Sequence, residues 1–542
     1  MKPASLLDRV GLAVRVFAGG VGAAMKFAGS AYRAAEKDGM LLKYWRPRLA
    51  SADREYLTER PDIVARSRDL ARNDTAVASA KRRRVSSAVG SGWQLVADVD
   101  GVALGLDEAA TTALNASIER AWLGYAYGHT FEMDAQRQLT FGGLLRTTAA
   151  SWFIDGEAFA HIPWSPGEPC SEWATRLDVI DTDRVCNKDN AGDTDLMRAG
   201  VELDPVSRAP IAYWVRARHP ADVGVENIAN TQWRRISRWT PWGRPNFLHV
   251  YDRERAGQTR GVSQLVSALS TLKALEKFSG ATLENAILNA LLLGAVKSNA
   301  GPSAVSENFE AEAMQKWEDS RTDTYGGRVV ELGGNVQLPV LPPDDELQIF
   351  TQSRDVGSFE GYTRTMLRRI AASVGCTYEE LAMDYSTTNY SSARAAMIHA
   401  FAETQALQTL LRDQVVQPFY VAWLEEAVES GKVALPAGAP DYWENLAAFT
   451  RCRWIAPGKG YIDAPKEIQA EAMEVENLFT TATAVCASNG RNIRDVLAER
   501  KRELLLMQEM GLEAPAGGVT LAAAAAPQIT APETTPAQPS AA

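Results

Sequence analysis

The sequence predicts an α+β protein built from several domains. Three observations carry that class. Short strand-like pieces alternate with helical patterns between Trp93 and Tyr251. Two long helical patterns further on flank a small insert of mixed strand and helix. A helical block then follows, ending in an Ala- and Pro-rich tail. With 542 residues, 46% of them hydrophobic, the chain can bury a core in two to four domains.

The elements are expected in this order. Asp69–Ala80 reads as helix and leads into the basic run Lys81-Arg82-Arg83-Arg84. The segment from Trp93 (WQLVADVD) reads as a strand. Glu108–Tyr125 reads as a helix with Ala113, Ile118, Ala121 and Leu123 on its apolar side. A second helix spans Leu139–Phe153 and stops near Asp155-Gly156, and Ala158–Pro163 returns as a strand. From Arg260-Gly261 towards Pro302, apolar residues recur every three or four positions: Val262, Leu265, Leu269, Leu272, Leu275, Phe278, Leu283, Ile287 and Leu291. About 34 residues of such helix would span roughly 50 Å, a column that needs neighbours. RVVELGGNVQLPV reads as a hairpin turning at Gly333-Gly334, and the segment Leu341–Asp345 stops it and caps the next long helix. That helix carries Tyr362, Met366 and Ile370 at helical spacing. It runs into a polar loop, Asp384–Tyr390, after which Ser391 or Ser392 is placed to cap a further helix with Ala395, Ile398, Phe401 and Leu407 on one face. The helical pattern continues through Phe419 and Trp423 to Gly431. Asp463-Ala464-Pro465-Lys466-Glu467 opens the last helical block, which reaches Leu512. The tail beyond it has a composition that cannot bury a core.

Charge and cysteine content exclude several classes. The net charge of −10 does not suit a general nucleic-acid coat. Residues 1–84 hold 18 Lys or Arg against 9 Asp or Glu, but no aromatics interleave the run at Lys81–Arg84, so it reads first as a solvated helix end and second as a nucleic-acid patch. The five cysteines are widely spaced without a CxxC, as expected of reduced, partly buried thiols. The run Val16–Met25 is half the length a bilayer requires and holds three glycines, so it reads as an amphipathic or disordered arm of a soluble protein.

No enzyme signature stands out. There is no GxxxxGK[ST], HExxH or GxSxG, and no His/Cys set at metal spacing. Pro457-Gly458-Lys459-Gly460 is only a Gly-flanked lysine. The pairs Glu379-Glu380 and Asp344-Asp345 each abut a helix start, where the dipole favours negative charge without any catalytic role. His399 shares a face with Ala395 and Ala396 and reads as packed or interfacial. No catalytic residue, cofactor or metal is expected.

Three motifs point to a family. Asp384-Tyr385-Ser386 followed by Asn389-Tyr390-Ser391-Ser392-Ala393-Arg394-Ala395-Ala396 closely resembles the DYS…NYSSARAA signature of lambda-type phage portal proteins. Arg255–Val262 (RAGQTRGV) resembles the family's RPGQ-RGV segment, with Ala256 where proline is common. Asp463–Glu467 resembles its DP-KE motif, with Ala464 inserted. The order of these segments fits the family over roughly residues 30 to 512.

The resemblance implies an elongated multidomain portal fold that assembles as a ring, commonly dodecameric, at one capsid vertex. Its parts would be an N-terminal arm (1–29), a wing (30–260 and 393–462), two stem helices (261–296 and 346–375), a small α/β clip (297–345), a tunnel-loop region (376–392), a helical crown (463–512) and a disordered tail (513–542). Double-stranded DNA would pass non-specifically through the ring in packaging and ejection. Asp384, Tyr385, Ser386, Thr387, Thr388, Asn389 and Tyr390 would form the tunnel loop. Arg364, Arg368 and Arg369 on the second stem helix would face either the bore or a neighbouring subunit's carboxylates. Asp344, Asp345 and Glu346 in the clip would help dock the packaging motor or the tail adaptor. The implied partners are further copies of the chain, the large terminase subunit, major capsid and scaffold proteins, and head-tail adaptors. The ring would also nucleate procapsid assembly. It would be made in the host cytoplasm and end in the virion. The competing classes are another structural or membrane-associated capsid protein and a packaging enzyme.

Overall fold

The computed structural model describes residues 44–222, 232–291, 329–331, 337–339, 356–386, 389–461 and 463–510. Two compact units are distinguished. The small one contains α1 (Ala52–Tyr56), which Ser51 caps, together with the segment 254–258. Within it Arg255 pairs with Glu55 and donates to the Ala50 carbonyl. The Gln258 side-chain oxygen accepts from the Glu254 and Arg255 amides at 3.0 and 3.2 Å.

The large unit begins with α2 (Arg60–Asn73) and α3 (Thr75–Val89). The single helix expected over 69–80 is therefore broken, because Asp74 leaves helical geometry and its carboxylate accepts from the Val77 amide at 2.9 Å. Next come β1 (Gln94–Ala97), α4 (Glu108–Tyr127) and α5 (Phe141–Asp155). The buried face of α4 differs from the expected one: Leu114, Ile118, Trp122 and Tyr125 point inward, while Ala113 and Leu123 face out. The two large aromatics decide this, because they bury far more area than the alanines. Gly156 ends α5 in the left-handed region at φ 86°, and a Cβ there would lie 2.1 Å from the Val262 carbonyl carbon, so only glycine fits.

The strands are short. They are β2 (Glu157–His161), β3 (Asp178–Ile180), β4 (Met197–Arg198), β5 (Val201–Leu203), β6 (Pro210–Arg216), β7 (Trp233–Ser237) and β8 (Phe247–Tyr251). They form antiparallel sheets ordered β3-β2-β8 and β4-β5-β6-β7. In the first, Phe159 lies opposite Ile180 on one side and His249 on the other.

The following helix, α6 (Leu269–Leu291), starts eight residues after the expected Gly261. The reason is local: the Gly261 amide donates to Glu157 and the Leu265 amide to the Ser263 hydroxyl, so the backbone between them makes turns instead of helix. β9 (Val329–Glu331) and β10 (Gln337–Pro339) pair antiparallel with Gln337 opposite Glu331, as the hairpin expectation requires. The Gly333-Gly334 turn, the expected cap at 341–345 and the tail after residue 510 lie outside the described residues.

The helix α7 (Val356–Ser373) packs beside α6 through Phe278, whose ring lies 5.6 Å from Phe359 and 4.6 Å from Tyr362. The chain continues through α8 (Tyr378–Ala382) into α9 (Tyr390–Leu411), a π-helical turn (Arg412–Val416) and α10 (Gln417–Glu429). A single turn, α11 (Leu446–Phe449), precedes β11 (Cys452–Ile455), which pairs with β1. Three helices follow: α12 (Ala464–Glu476), α13 (Ala482–Ser488) and α14 (Ile493–Glu509).

The core gathers around Trp122. Its ring meets Trp423 at 5.0 Å and Phe141 and Trp454 at 5.4 Å, all edge-on. Thus α4, α5, α10 and β11, which are distant in sequence, share one apolar centre. The five thiols are free; burial pushes Cys376 up to about 11 and Cys452 to about 12, so both stay protonated near neutral pH. No helix among the described residues is long and apolar enough to cross a membrane.

Candidate functional site

The polar loop is held between two helices whose ends are fixed by their own side chains. After α7, Gly375 takes φ 69° and Thr377 opens α8 with a capping box. Thr377 Oγ1 accepts from the Glu380 amide at 3.1 Å, and Glu380 Oε2 accepts from the Thr377 amide at 3.1 Å. The T-x-x-E spacing shows this in the sequence, and it accounts for the Glu379-Glu380 pair as a helix start. Met383 ends α8 in the left-handed region at φ 55°.

Asp384 then turns the loop back on itself. Its Oδ1 accepts from the Ser386 hydroxyl at 2.6 Å and the Ser386 amide at 3.1 Å, and its Oδ2 accepts from the Tyr378 hydroxyl at 3.1 Å. These bonds, the Ser386 hydroxyl first, hold the Asp384 carboxyl below its usual range, so it stays ionised. Asn389 closes the loop. Its side-chain oxygen accepts from the Ser392 amide and the Ser391 hydroxyl, both at 2.9 Å. The helix cap is therefore Asn389, not Ser391 or Ser392 as expected. Tyr385 stands 53% exposed, the largest outward side chain among the described residues of the loop. Thr387 and Thr388 lie outside the described residues, as do Asp344, Asp345 and Glu346.

The flanking helices are anchored unevenly. Ile370 and Ala371 of α7, Val374 just after it and Leu381 of α8 are buried. In α9 the second half is buried at Leu407 and Leu411, but Ile398, expected on the packed face, is 61% exposed, and His399 is exposed as well. Arg364 pairs with Glu360 of its own helix at 2.7 Å, and Arg368 lies over the Tyr378 ring at 5.4 Å. Arg369 is exposed. The three cations predicted together thus sit on one helix in different roles, two of them engaged within the chain.

A second cluster was not legible in the sequence. Glu157, fully buried, receives Arg260 Nε at 2.8 and 2.9 Å, Arg60 Nη2 at 2.9 Å and the Gly261 amide at 2.9 Å. Burial alone would raise its pKa, but Arg260 and Arg60 hold it well below the usual carboxylate range. His249 Nε2 lies 3.0 Å from Glu157. Burial lowers the pKa of this imidazole to about 4, so near neutral pH it is a neutral donor and the contact is a hydrogen bond, not an ion pair. Arg260 also donates to the carbonyls of Val185, Thr182 and Ala199. The Arg260-Gly261 pair of the RAGQTRGV motif is explained by this cluster: the arginine neutralises Glu157, and a Cβ on Gly261 would lie 2.2 Å from the Gly156 carbonyl oxygen. Motif glycine beside motif arginine is the only sequence signal for it.

Among the described residues Asp181, Asp183 and His219 gather as metal ligands do, yet Arg68 pairs with both aspartates. Its guanidinium donates to Asp183 at 2.6 Å and to Asp155 at 2.7 and 2.8 Å, so the cluster is an ion-pair network. Among the described residues, nucleophile, base and orienting group do not converge in the loop or in either cluster.

Residues 38–408 match the family model described as phage portal protein, lambda family. The chain is similar to the portal protein of Escherichia phage N15, at 29% identity over 88% of this chain and 90% of that one. It is similar to portal protein B of Escherichia phage lambda, at 28% identity over 88% and 89%. A solved chain from the neck of an empty gene transfer agent particle is loosely similar, at 13% identity, 82% and 96% coverage and a TM-score of 0.39. The family model spans more than half of the sequence and contains both the DYS…NYSSARAA stretch and the Arg260-Gly261 pair, so the chain belongs to the lambda family of phage portal proteins.

Proposed function

We propose that this portal protein works as a ring, commonly dodecameric, through which double-stranded DNA enters and leaves the capsid, and that the loop Asp384–Tyr390 lines its bore. The observation that carries the reading is the loop itself. It bears the family signature, exposes Tyr385, and is held at its first end by the bonds of Asp384 to Tyr378 and Ser386 and at its second by the Asn389 cap of α9. A duplex that must slide needs weak, repeated contacts, because each phosphate neutralised tightens the complex. Hydroxyls and the two phenols of Tyr385 and Tyr390 suit that task, and a net charge of −10 opposes tight binding.

In the same reading, α6 and α7 are the stem, the insert from 297 to 345 is the clip, and the helices after Asp463 are the crown. Asp344, Asp345 and Glu346 dock the terminase during packaging and the head-tail adaptors later. The ring nucleates procapsid assembly with scaffold and major capsid protein, and it acts without catalysis. The protein is made in the host cytoplasm and ends at the portal vertex of the virion. Arg369 is the cation of its helix best placed to face DNA, since Arg364 and Arg368 are engaged within the chain.

The test is direct. Negative-stain images of the purified chain should show annular particles with a central hole, and Tyr385→Ala should form the same rings while packaging less DNA in a reconstituted assay. A persistent monomer under assembly conditions overturns the ring; normal packaging by Tyr385→Ala rings overturns the loop assignment.

A further inference from the structure

The basic run on α3 does not stand alone. Its side chains line a cleft of about 1130 Å³ whose other walls come from α2 and α5. Lys81, Arg82 and Arg83 face it from α3, Arg72 from α2 and Arg146 from α5. Arg146 is more than sixty residues away in sequence, so the cluster is a product of the fold. The carboxylates of the cleft, Asp155 and Asp181, are taken up by Arg68 at 2.7 and 3.3 Å. None of the other five cations is in an ion pair among the described residues. Arg82 donates only to Ala78 of its own helix, Arg146 to the Gly90 carbonyl, and Arg83 meets the Met383 sulfur. Five unneutralised cations in one concavity oppose the sign of the whole chain. Their mutual repulsion makes the empty cleft costly and an anion inside it stabilising.

We infer that this cleft binds the phosphate backbone of double-stranded DNA without reading its sequence. The inference rests on the portal reading for the presence of a duplex, and on the cleft for everything else. The guanidinium forks of Arg72, Arg82, Arg83 and Arg146 and the Lys81 ammonium suit phosphate oxygens, and the Ser79 and Ser151 hydroxyls add neutral donors. No aromatic side chain lines the cleft, which removes the stacking platform that a single strand needs. No Asn or Gln lines it either, so the usual partners of adenine are missing and the cleft positions DNA instead of specifying a base. Met383, the residue before the signature loop, forms part of the wall. A duplex backbone seated here therefore abuts the loop's first turn.

The probe is a fluorescent duplex of mixed sequence, about 30 base pairs long, titrated with the full-length protein at salt concentrations from about 50 to 200 mM, a span over which binding to the phosphate backbone weakens strongly. The triple variant Lys81→Gln/Arg82→Gln/Arg83→Gln should bind at least tenfold more weakly. Its plot of log K against log salt should be shallower by about 2 to 3, at roughly 0.9 for each phosphate no longer neutralised. A control variant on α14, Arg500→Gln/Lys501→Gln/Arg502→Gln, removes the same formal charge at residues that do not line the cleft and should keep the wild-type slope. An equally weakened control, or an unchanged slope in the cleft variant, overturns the site. So does a cleft variant that leaves DNA binding intact but weakens subunit association, because the cations then face protein carboxylates. If the triple variant does not fold, single changes at the exposed Arg72 and Arg82 should each lower the slope by about 1, and no change in either overturns the site. Ring formation is scored separately by negative stain. Absent rings count against the portal reading, and intact rings with unchanged DNA binding count against the cleft alone.

Discussion

The buried cluster at Glu157 and the exposed loop at Asp384 are both built on a carboxylate, and they use it in opposite ways. Glu157 collects Arg260, Arg60, His249 and a backbone amide from separate parts of the chain. Asp384 collects only its near neighbours Ser386 and Tyr378. The first carboxylate ties distant segments together, and losing it would leave two buried guanidinium groups uncompensated. The second shapes a turn already in water. The difference teaches where a family motif is a structural requirement and where its side chains are left exposed. The arginine and glycine of RAGQTRGV are demanded by a packed interior, whereas the DYS stretch is free of such demands and presents its side chains outward.

Substitutions can break this contrast. Glu157→Ala should destabilise the fold by about 3–5 kcal/mol, the usual cost of orphaning a buried ion pair, read as a lower midpoint in urea. A change under about 1 kcal/mol would mean that water reaches the cluster. Acid should act on the same region. His249 and His161 stay neutral down to about pH 4 because both are buried, while the unfolded chain protonates them near 6.5. Unfolding thus takes up protons between those values, so stability should fall as pH drops from 6.5 towards 4. His249→Phe should flatten that decline; an unaltered pH profile would place the titration elsewhere.

At the loop the effects should be smaller. Asn389→Ala removes the α9 cap and should cost about 1 kcal/mol, while Asn389→Ser should restore most of it. Equal destabilisation in both would show that Asn389 does more than cap. Tyr385→Ala should change stability by less than about 0.5 kcal/mol. A large drop in its thermal midpoint would mean that this exposed side chain is packed, and the contrast between the two carboxylates would fail.

Much of the architecture was legible in sequence. The α4 and α5 helices, the strand at Gln94, the hairpin strands β9 and β10 and the helical end block follow from local periodicity and turn residues. The polar loop and its position between helices followed as well. Three of the departures share one cause. The break at Asp74, the late start of α6 and the cap at Asn389 depend on which acceptor a backbone amide chooses, and periodicity does not record that choice. The inward face of α4 depends on Trp423, Phe141 and Trp454, all remote in sequence.

By itself, the sequence determined the α+β class, the order of helices, insert and loop, and the family motifs, because these rest on interactions within a few residues. Only the tertiary structure decided that Arg60, Arg260 and His249 meet at one buried carboxylate, and that Arg72 and Arg146 join the run Lys81–Arg83 around one cleft. Charges far apart along a chain interact only once folding brings them within a few ångströms and removes the water between them.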